Sequence, residues 1–232
     1  MKKAFWTFGI LAFLGTTSAM AAGGTTTPAF NWSGPYVGLT AGYMLATSQT
    51  TDYLNNGAGP LHAEGDPNPS GIFGGLYAGF NHKVSERIVL GIEGDINVGS
   101  INGTDTSIVD ASGPLPSGFH HSDDIGLFGA GRVRLGLDTG SLMPYLAGGI
   151  AFAGAHANLV HNSDISNNYQ TLVGWTAGAG LDYALTPHLA GRLEYRYTNY
   201  GSLNGVFQNF PTEAVQATFS SHTIQVGLAY KF

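Results

Sequence analysis

The sequence predicts an all-β fold: an eight-stranded antiparallel up-and-down transmembrane β-barrel with short periplasmic turns and four long extracellular loops. Three observations carry this expectation. Apolar and polar residues alternate with period two in one segment after another, while helical periodicity is weak throughout. The connections between these segments are long and short in strict alternation. Finally, ionic residues gather on the polar face of the strands and cations are absent from the long loops.

The elements follow in chain order. Lys2 and Lys3, the apolar stretch Ala4 to Leu14 and the small-x-small run Ala19-Met20-Ala21 predict a secretory signal peptide over 1–21, cleaved after Ala21. Its apolar part is too short for a spanning helix, and no later run reaches the ~18 apolar residues that one needs. Residues 22–34 read as a short N-terminal linker, and 35–232 as the barrel domain. Eight strands are expected over Tyr36–Ala46, Gly71–Asn81, Arg87–Gly99, Asp124–Leu137, Pro144–Ala157, Leu172–Leu185, Leu189–Tyr200 and Thr223–Phe232. Each is long enough to cross a bilayer when tilted. Tight turns are expected at His82 to Glu86, Asp138 to Met143 and Thr186 to His188. Long polar loops are expected around 47–70, 100–123, 158–171 and 201–222.

Composition agrees with this layout. Charged residues are 10% of the 232 and glycine numbers 35, whereas about a quarter of a soluble domain is charged. The chain has no cysteine, so neither a disulfide nor a lipoprotein anchor is available. Glycines such as Gly74, Gly75, Gly79, Gly94, Gly148 and Gly180 fall inside strands, as expected where a narrow barrel coils sharply and interior volume is scarce. Trp32, Tyr36, Phe80, Tyr145, Tyr183, Tyr230 and Phe232 are assigned to a periplasmic aromatic girdle. Tyr43, Phe152, Trp175, Tyr197 and Tyr200 are assigned to an outer one.

Alternation assigns the faces. Ile88, Leu90, Ile92, Ile96 and Val98 share one side of the third strand, with Glu93, Asp95 and Asn97 on the other. The fourth strand sets Ile125, Leu127, Val133, Leu135 and Leu137 against Arg132 and Arg134. The seventh sets Leu193, Tyr195 and Tyr197 against Arg192, Glu194 and Arg196. The eighth sets Ile224, Val226, Leu228, Tyr230 and Phe232 against Thr223, Gln225 and Lys231. A soluble barrel would turn the charges to water and scatter cations through its loops. Here Glu93, Asp95, Arg132, Arg134, Asp182, Arg192, Glu194, Arg196 and Lys231 are expected to form an ion-pair network in the lumen, because interior charges are tolerable only when paired. Each would instead cost ~2–4 kcal/mol near the midplane of a lipid face.

The runs GWTAGAGLDYALTPHLAGRLEYRYTNYG (Gly174 to Gly201), RVRLGLDTGSLMPYLAGGIAFA (Arg132 to Ala153) and VLGIEGDI (Val89 to Ile96) resemble the outer-membrane β-barrel family of opacity-type surface proteins, related in fold to the OmpA transmembrane domain. The likeness covers nearly all of the chain after residue 34 except the long loops. Leu185-Thr186-Pro187 departs from the more usual Phe-Thr turn opening. The resemblance implies a location in the outer membrane, contact with its lipid and lipopolysaccharide, and delivery by periplasmic chaperones and the barrel-assembly machinery. The last strand, with Leu228, Tyr230 and Phe232, is similar to the aromatic C-terminal signature that this machinery reads. No further periplasmic domain is expected after Phe232.

Sites for chemistry are sparse. His120, His121, Asp123 and Asp124, with His156 and His161 nearby, contain suitable metal ligands, but their spacing matches no zinc pattern and a loop rarely pre-organises a site. Ser220, Ser221 and His222 suggest a hydrolase, for which Asp123 lies on the far side of the ring. No metal, cofactor or catalytic residue is therefore expected. The loop acids Asp52, Glu64, Asp66, Asp105, Asp110, Asp123, Asp164 and Glu213 make the outer face negative, less so below about pH 6.5, where His protonates. No basic patch offers itself to nucleic acid. The leading expectation is a structural anchor displaying loops for envelope integrity or adhesion, with a host-surface ligand as a candidate partner. A narrow porin is the alternative, and an outer-membrane hydrolase stands third.

Overall fold

The structure, a computed structural model, describes residues 30–54, 68–105, 109–110, 113–114, 120–161, 164–207 and 210–232; side chains are described over 30–47, 68–102, 126–154, 171–201 and 219–232. Eight long strands are β1 (Gly34–Leu54), β2 (Ser70–Lys83), β3 (Ile88–Asp105), β4 (His120–Leu137), β5 (Leu142–His161), β6 (Asp164–Thr186), β7 (Leu189–Phe207) and β8 (Phe210–Lys231). A two-residue ladder, Val109–Asp110 with Gly113–Pro114, lies apart from them. Each long strand pairs antiparallel with its chain neighbours, and β8 closes onto β1. Closure leaves no free strand edge in the part of the wall where all eight strands pair.

The register fixes the shape. Partners followed once round the ring from Phe80 on β2 pass through Ile92, Val133, Gly148, Ala177, Tyr197, His222 and Leu45. They return to β2 at Ser70, ten residues away. A stagger of that size over eight strands tilts them by about 40° and gives a barrel roughly 16 Å across, just wide enough for side chains to fill.

The tight turns expected from the sequence sit at residues 84–87, 138–141 and 187–188, between consecutive strands. At the opposite end the strands run further than expected. The connections 158–171 and 201–222 are themselves mostly strand, since β5 reaches His161, β6 begins at Asp164, β7 reaches Phe207 and β8 begins at Phe210. Polar Asn, Ser and Thr segments continue the ladder because antiparallel neighbours go on satisfying each other's backbone groups.

Alternation is reproduced, while the ladder shifts register at several points. One lies on both sides of Gly126, where Ile125 pairs with Ile101 and Ala155, and Leu127 with Val98 and Gly154. The outward rows are apolar on every strand. Leu39 is 63% exposed, Ile72 72%, Ile92 65% and Leu146 63%, while Glu93, Arg132, Arg134 and Glu194 are buried. A surface of this composition is stable against hydrocarbon, not water. On β6, Tyr183 and Trp175 are eight residues apart, about 20 Å along the axis at this tilt and close to the ~25 Å apolar band of such barrels.

Several aromatics leave the expected girdles. Trp32, Tyr36, Tyr145 and Tyr200 are buried inside, whereas Tyr43, Phe80, Trp175, Tyr183, Tyr230 and Phe232 are exposed on the outer face. Tyr36 and Tyr145 share the parity of the inward residues, and parity overrides nearness to a strand end. The glycines also divide. At Gly79 an added Cβ would strike the Tyr36 ring, at Gly38 the Tyr77 ring, and at Gly180 the Tyr145 ring. Gly94 and Gly131 meet no atom closer than 3.9 Å, and with Gly74 and Gly148 they face outward, so interior volume does not account for them.

Candidate functional site: a lumen closed in three layers

Among the described residues, charged and aromatic side chains converge in the interior. Four arginines and four carboxylates interlock in its middle layer. Arg132 on β4 reaches Glu93 on β3 at 2.5 Å and Glu194 on β7 at 2.6 Å. Arg134 meets Asp182 on β6 at 2.7 Å. Arg192 bridges Glu93 at 2.7 Å and Asp182 at 2.8 Å. Arg196 forks onto both oxygens of Asp95, at 3.0 and 3.2 Å, and meets Glu194 at 3.1 Å. Such two-pronged contacts are the strong, directional form of an Arg–carboxylate pair. Residues from four strands are thereby tied together across the barrel.

Tyrosines complete the layer. The Tyr36 hydroxyl donates to Glu93 at 2.8 Å and accepts from Arg134 at 2.8 Å. Tyr145 donates to Glu194 at 2.6 Å, and Gln225 donates to the same carboxylate at 2.9 Å. Guanidinium planes cover the rings: Arg134 lies 3.8 Å from the Tyr145 centroid, and Arg192 lies 4.2 Å from that of Tyr77. Burying ions is costly unless each is paired and its remaining donors are used; Tyr36 and Tyr145 supply part of what is needed, while Arg132 Nε, Arg134 Nε and the Tyr77 hydroxyl make no hydrogen bond. Tyr36, Tyr77, Tyr145 and Gln225 were not among the expected site residues. The available clue was pairing with the charged face: Tyr77 stands opposite Asp95, Gln225 opposite Glu194 and Tyr36 opposite Lys231.

Lys231 departs from the expected network. Among the described residues it makes no ion pair with a carboxylate; its Nζ lies 3.4 Å from the Phe232 carbonyl oxygen. It stands at the short-turn mouth, below the layer, so four cations face four carboxylates and the layer is neutral.

Below the ionic layer the chain before β1 folds into the mouth. Trp32 is buried against Val89, Met143 and Ala190, with Phe30 packed alongside, and its indole N–H donates to the Gly140 carbonyl at 2.9 Å. Gly140 adopts φ 98° in the β4–β5 turn, a conformation open to glycine and costly for other residues. Ser33 Oγ accepts from the Lys83 amide at 2.9 Å, and the Lys83 ammonium meets Asp138 at 2.6 Å. Residues 30–33, the described end of the expected connector, thus form a stopper tied to the β4–β5 turn and to the end of β2. Above the ionic layer, Met44, Phe73, Ile101, Phe128, Leu172 and Tyr200 make an apolar plug, with the Phe73 and Phe128 rings edge to face at 5.2 Å.

Ser221 and His222 do not come together. Ser221 is buried inward, whereas His222 is exposed on the outer face and meets the Tyr195 hydroxyl at 2.7 Å. Neighbouring strand residues point to opposite faces, so Ser221 and His222 cannot form a nucleophile–base pair. The side chains of His120, His121, Asp123, Asp124, His156 and His161, and those of the loop acids, lie outside the described residues; the backbone register sets Asp124 opposite His156. Leu228, Tyr230 and Phe232 form one outward row at the end of β8.

A family model described as "Outer membrane protein beta-barrel domain" matches residues 9–232. The chain is 32% identical over 205 residues to the 25 kDa outer-membrane immunogenic protein of Brucella abortus biovar 1 (strain 9-941), with 88% of this chain and 81% of that one covered. It is 30% identical over 239 residues to the 31 kDa outer-membrane immunogenic protein of Brucella melitensis biotype 1, covering 96% and 97%. Among solved structures, Neisserial surface protein A matches at TM-score 0.46 and 16% identity, covering 86% of this chain and 98% of that one. The outer membrane protease OmpT from Escherichia coli matches at TM-score 0.50 and 9% identity, covering 90% and 100%, a likeness of fold alone.

Proposed function

Because the chain belongs to the outer membrane protein beta-barrel domain family and lies in the outer membrane, we propose that it is a sealed surface anchor. In this reading the barrel is a fixed stake in the lipid, and its long hairpins are the working parts, serving envelope integrity or adhesion to a host surface. The observation that supports it is the closed lumen: an apolar plug, a neutral ionic layer and the Trp32 stopper lie in series. An eight-stranded interior is just wide enough for side chains to fill. The reading extends to export by residues 1–21 as a signal peptide cleaved after Ala21, to 22–34 as a connector that ends in the stopper, and to the Leu228, Tyr230 and Phe232 row as the strand presented to the assembly machinery. It makes the protein neither a porin nor an enzyme.

Planar-bilayer recording tests it. The wild-type protein inserts without stable conductance steps, and Trp32→Ala stays equally silent because two layers remain above it. Reproducible steps in the wild type, altered by charge reversal at Arg192 or Glu194, would establish the porin reading instead.

A further inference from the structure

On the outer face of β4 to β7 lies an apolar groove of about 770 Å³. It exists because Pro144 and Ala179 are small outward residues set among large ones. Leu135 and Leu146 form one rim, and Leu181, Leu193 and Tyr195 the other, all of them exposed to the surroundings. The register explains its direction. Ile88, at the foot of β3, neighbours Leu137, and Pro144 pairs with Leu181 and Ala179 with Tyr195. The groove therefore climbs from the short-turn end to Tyr195, six residues above the start of β7 at Leu189. With ~3.3 Å per residue and a tilt of about 40°, that rise is about 15 Å, half of the ~30 Å hydrocarbon core.

We propose that this groove is a binding site for one acyl chain of a phospholipid in the periplasmic leaflet, with the lipid phosphate held at the lower end by Arg87. Three features choose this occupant. The groove opens within the apolar belt, so whatever fills it comes from the hydrocarbon. It spans the depth of the periplasmic leaflet and stops there. Its foot adjoins Arg87, the exposed residue just before Ile88, whereas the nearby Lys83 is engaged by Asp138. A flexible chain fits such a trough where a flat face would hold lipid only transiently.

Native mass spectrometry of the full barrel, purified in detergent and given 1-palmitoyl-2-oleoyl-phosphatidylglycerol, reads this out. The wild-type protein keeps one phospholipid under conditions that strip the rest. Ala179→Phe, which fills the groove, lowers the lipid-bound fraction at least fivefold, while Ala41→Phe, outward on β1 across the barrel, leaves it unchanged. Arg87→Gln weakens retention of phosphatidylglycerol about threefold or more. Unboiled and boiled gel migration confirms that each variant is folded; should Ala179→Phe not fold, Leu181→Ala, which removes a rim, gives the same loss. Equal retention by Ala179→Phe and wild type overturns the site, as does a mass showing two chains with no lipid, which would assign the groove to a second copy. Unchanged retention in Arg87→Gln overturns the phosphate contact.

Discussion

Glu194 accepts hydrogen bonds from Arg132, Arg196, Tyr145 and Gln225, so its two oxygens carry as many partners as a carboxylate can hold. Removing it strands donors that are themselves buried. Breaking a buried ion pair costs about 3–5 kcal/mol; Arg132 keeps Glu93 and Arg196 keeps Asp95, which places Glu194→Ala near 3 kcal/mol of lost stability. Lys83→Ala removes an ion pair of similar length, 2.6 Å, whose lysine is 37% exposed, and costs about 0–1 kcal/mol. Urea midpoints of unfolding in detergent or lipid vesicles check both. Equal effects would mean that the lumen is wet enough to screen its charges. At this scale the sequence was informative about sign and face: the period-two pattern put all eight ionic residues of the layer on one side. It could not show that Lys231 stands outside, because parity fixes the face of a residue and not its depth along the axis.

Strands and their glycines carry the next level of argument. Inward glycines are matched to rings, Gly38 with Tyr77, Gly79 with Tyr36 and Gly180 with Tyr145, so large and small residues alternate across the narrow interior. Gly38→Ala drives a methyl group into the Tyr77 ring and the Leu228 carbonyl and is expected to destabilise by about 1–3 kcal/mol, the usual cost of overpacking. Gly131→Ala meets nothing within 4 Å and is expected to be neutral, or stabilising by up to about 1 kcal/mol through the unfolded chain. The same urea series decides; an equal loss at both positions would show that backbone coiling, not interior space, selects these glycines. Strand order and turns were legible because polar punctuation separates the apolar repeats. Strand length was not. Asn- and Ser-rich segments read as loops, yet antiparallel pairing extends them as ladder once the barrel has set the register. The shift at Gly126 escaped for a related reason, since a bulge changes parity without changing composition.

For the whole molecule, one division of the described strand residues explains the rest: ionic groups inward and aliphatic groups outward. The sequence conveyed the division through its charges and alternation. The layering of the interior depends on which residues share a depth, and that follows from a stagger of ten residues that no local pattern encodes. The stopper is the clearest case, because Trp32 reads as a girdle aromatic until the chain before Gly34 is seen to turn into the mouth. The chain has no cysteine, so single cysteines along β8 can each carry a nitroxide whose accessibility to oxygen in lipid and to a water-soluble nickel chelate is measured in bilayers. Labels at 224, 226, 228 and 230 are expected to meet lipid-borne oxygen, while those at 223, 225, 227 and 229 are shielded from both. Nickel access at the first set, or no alternation between the two, would contradict a barrel whose apolar side faces lipid around a sealed interior.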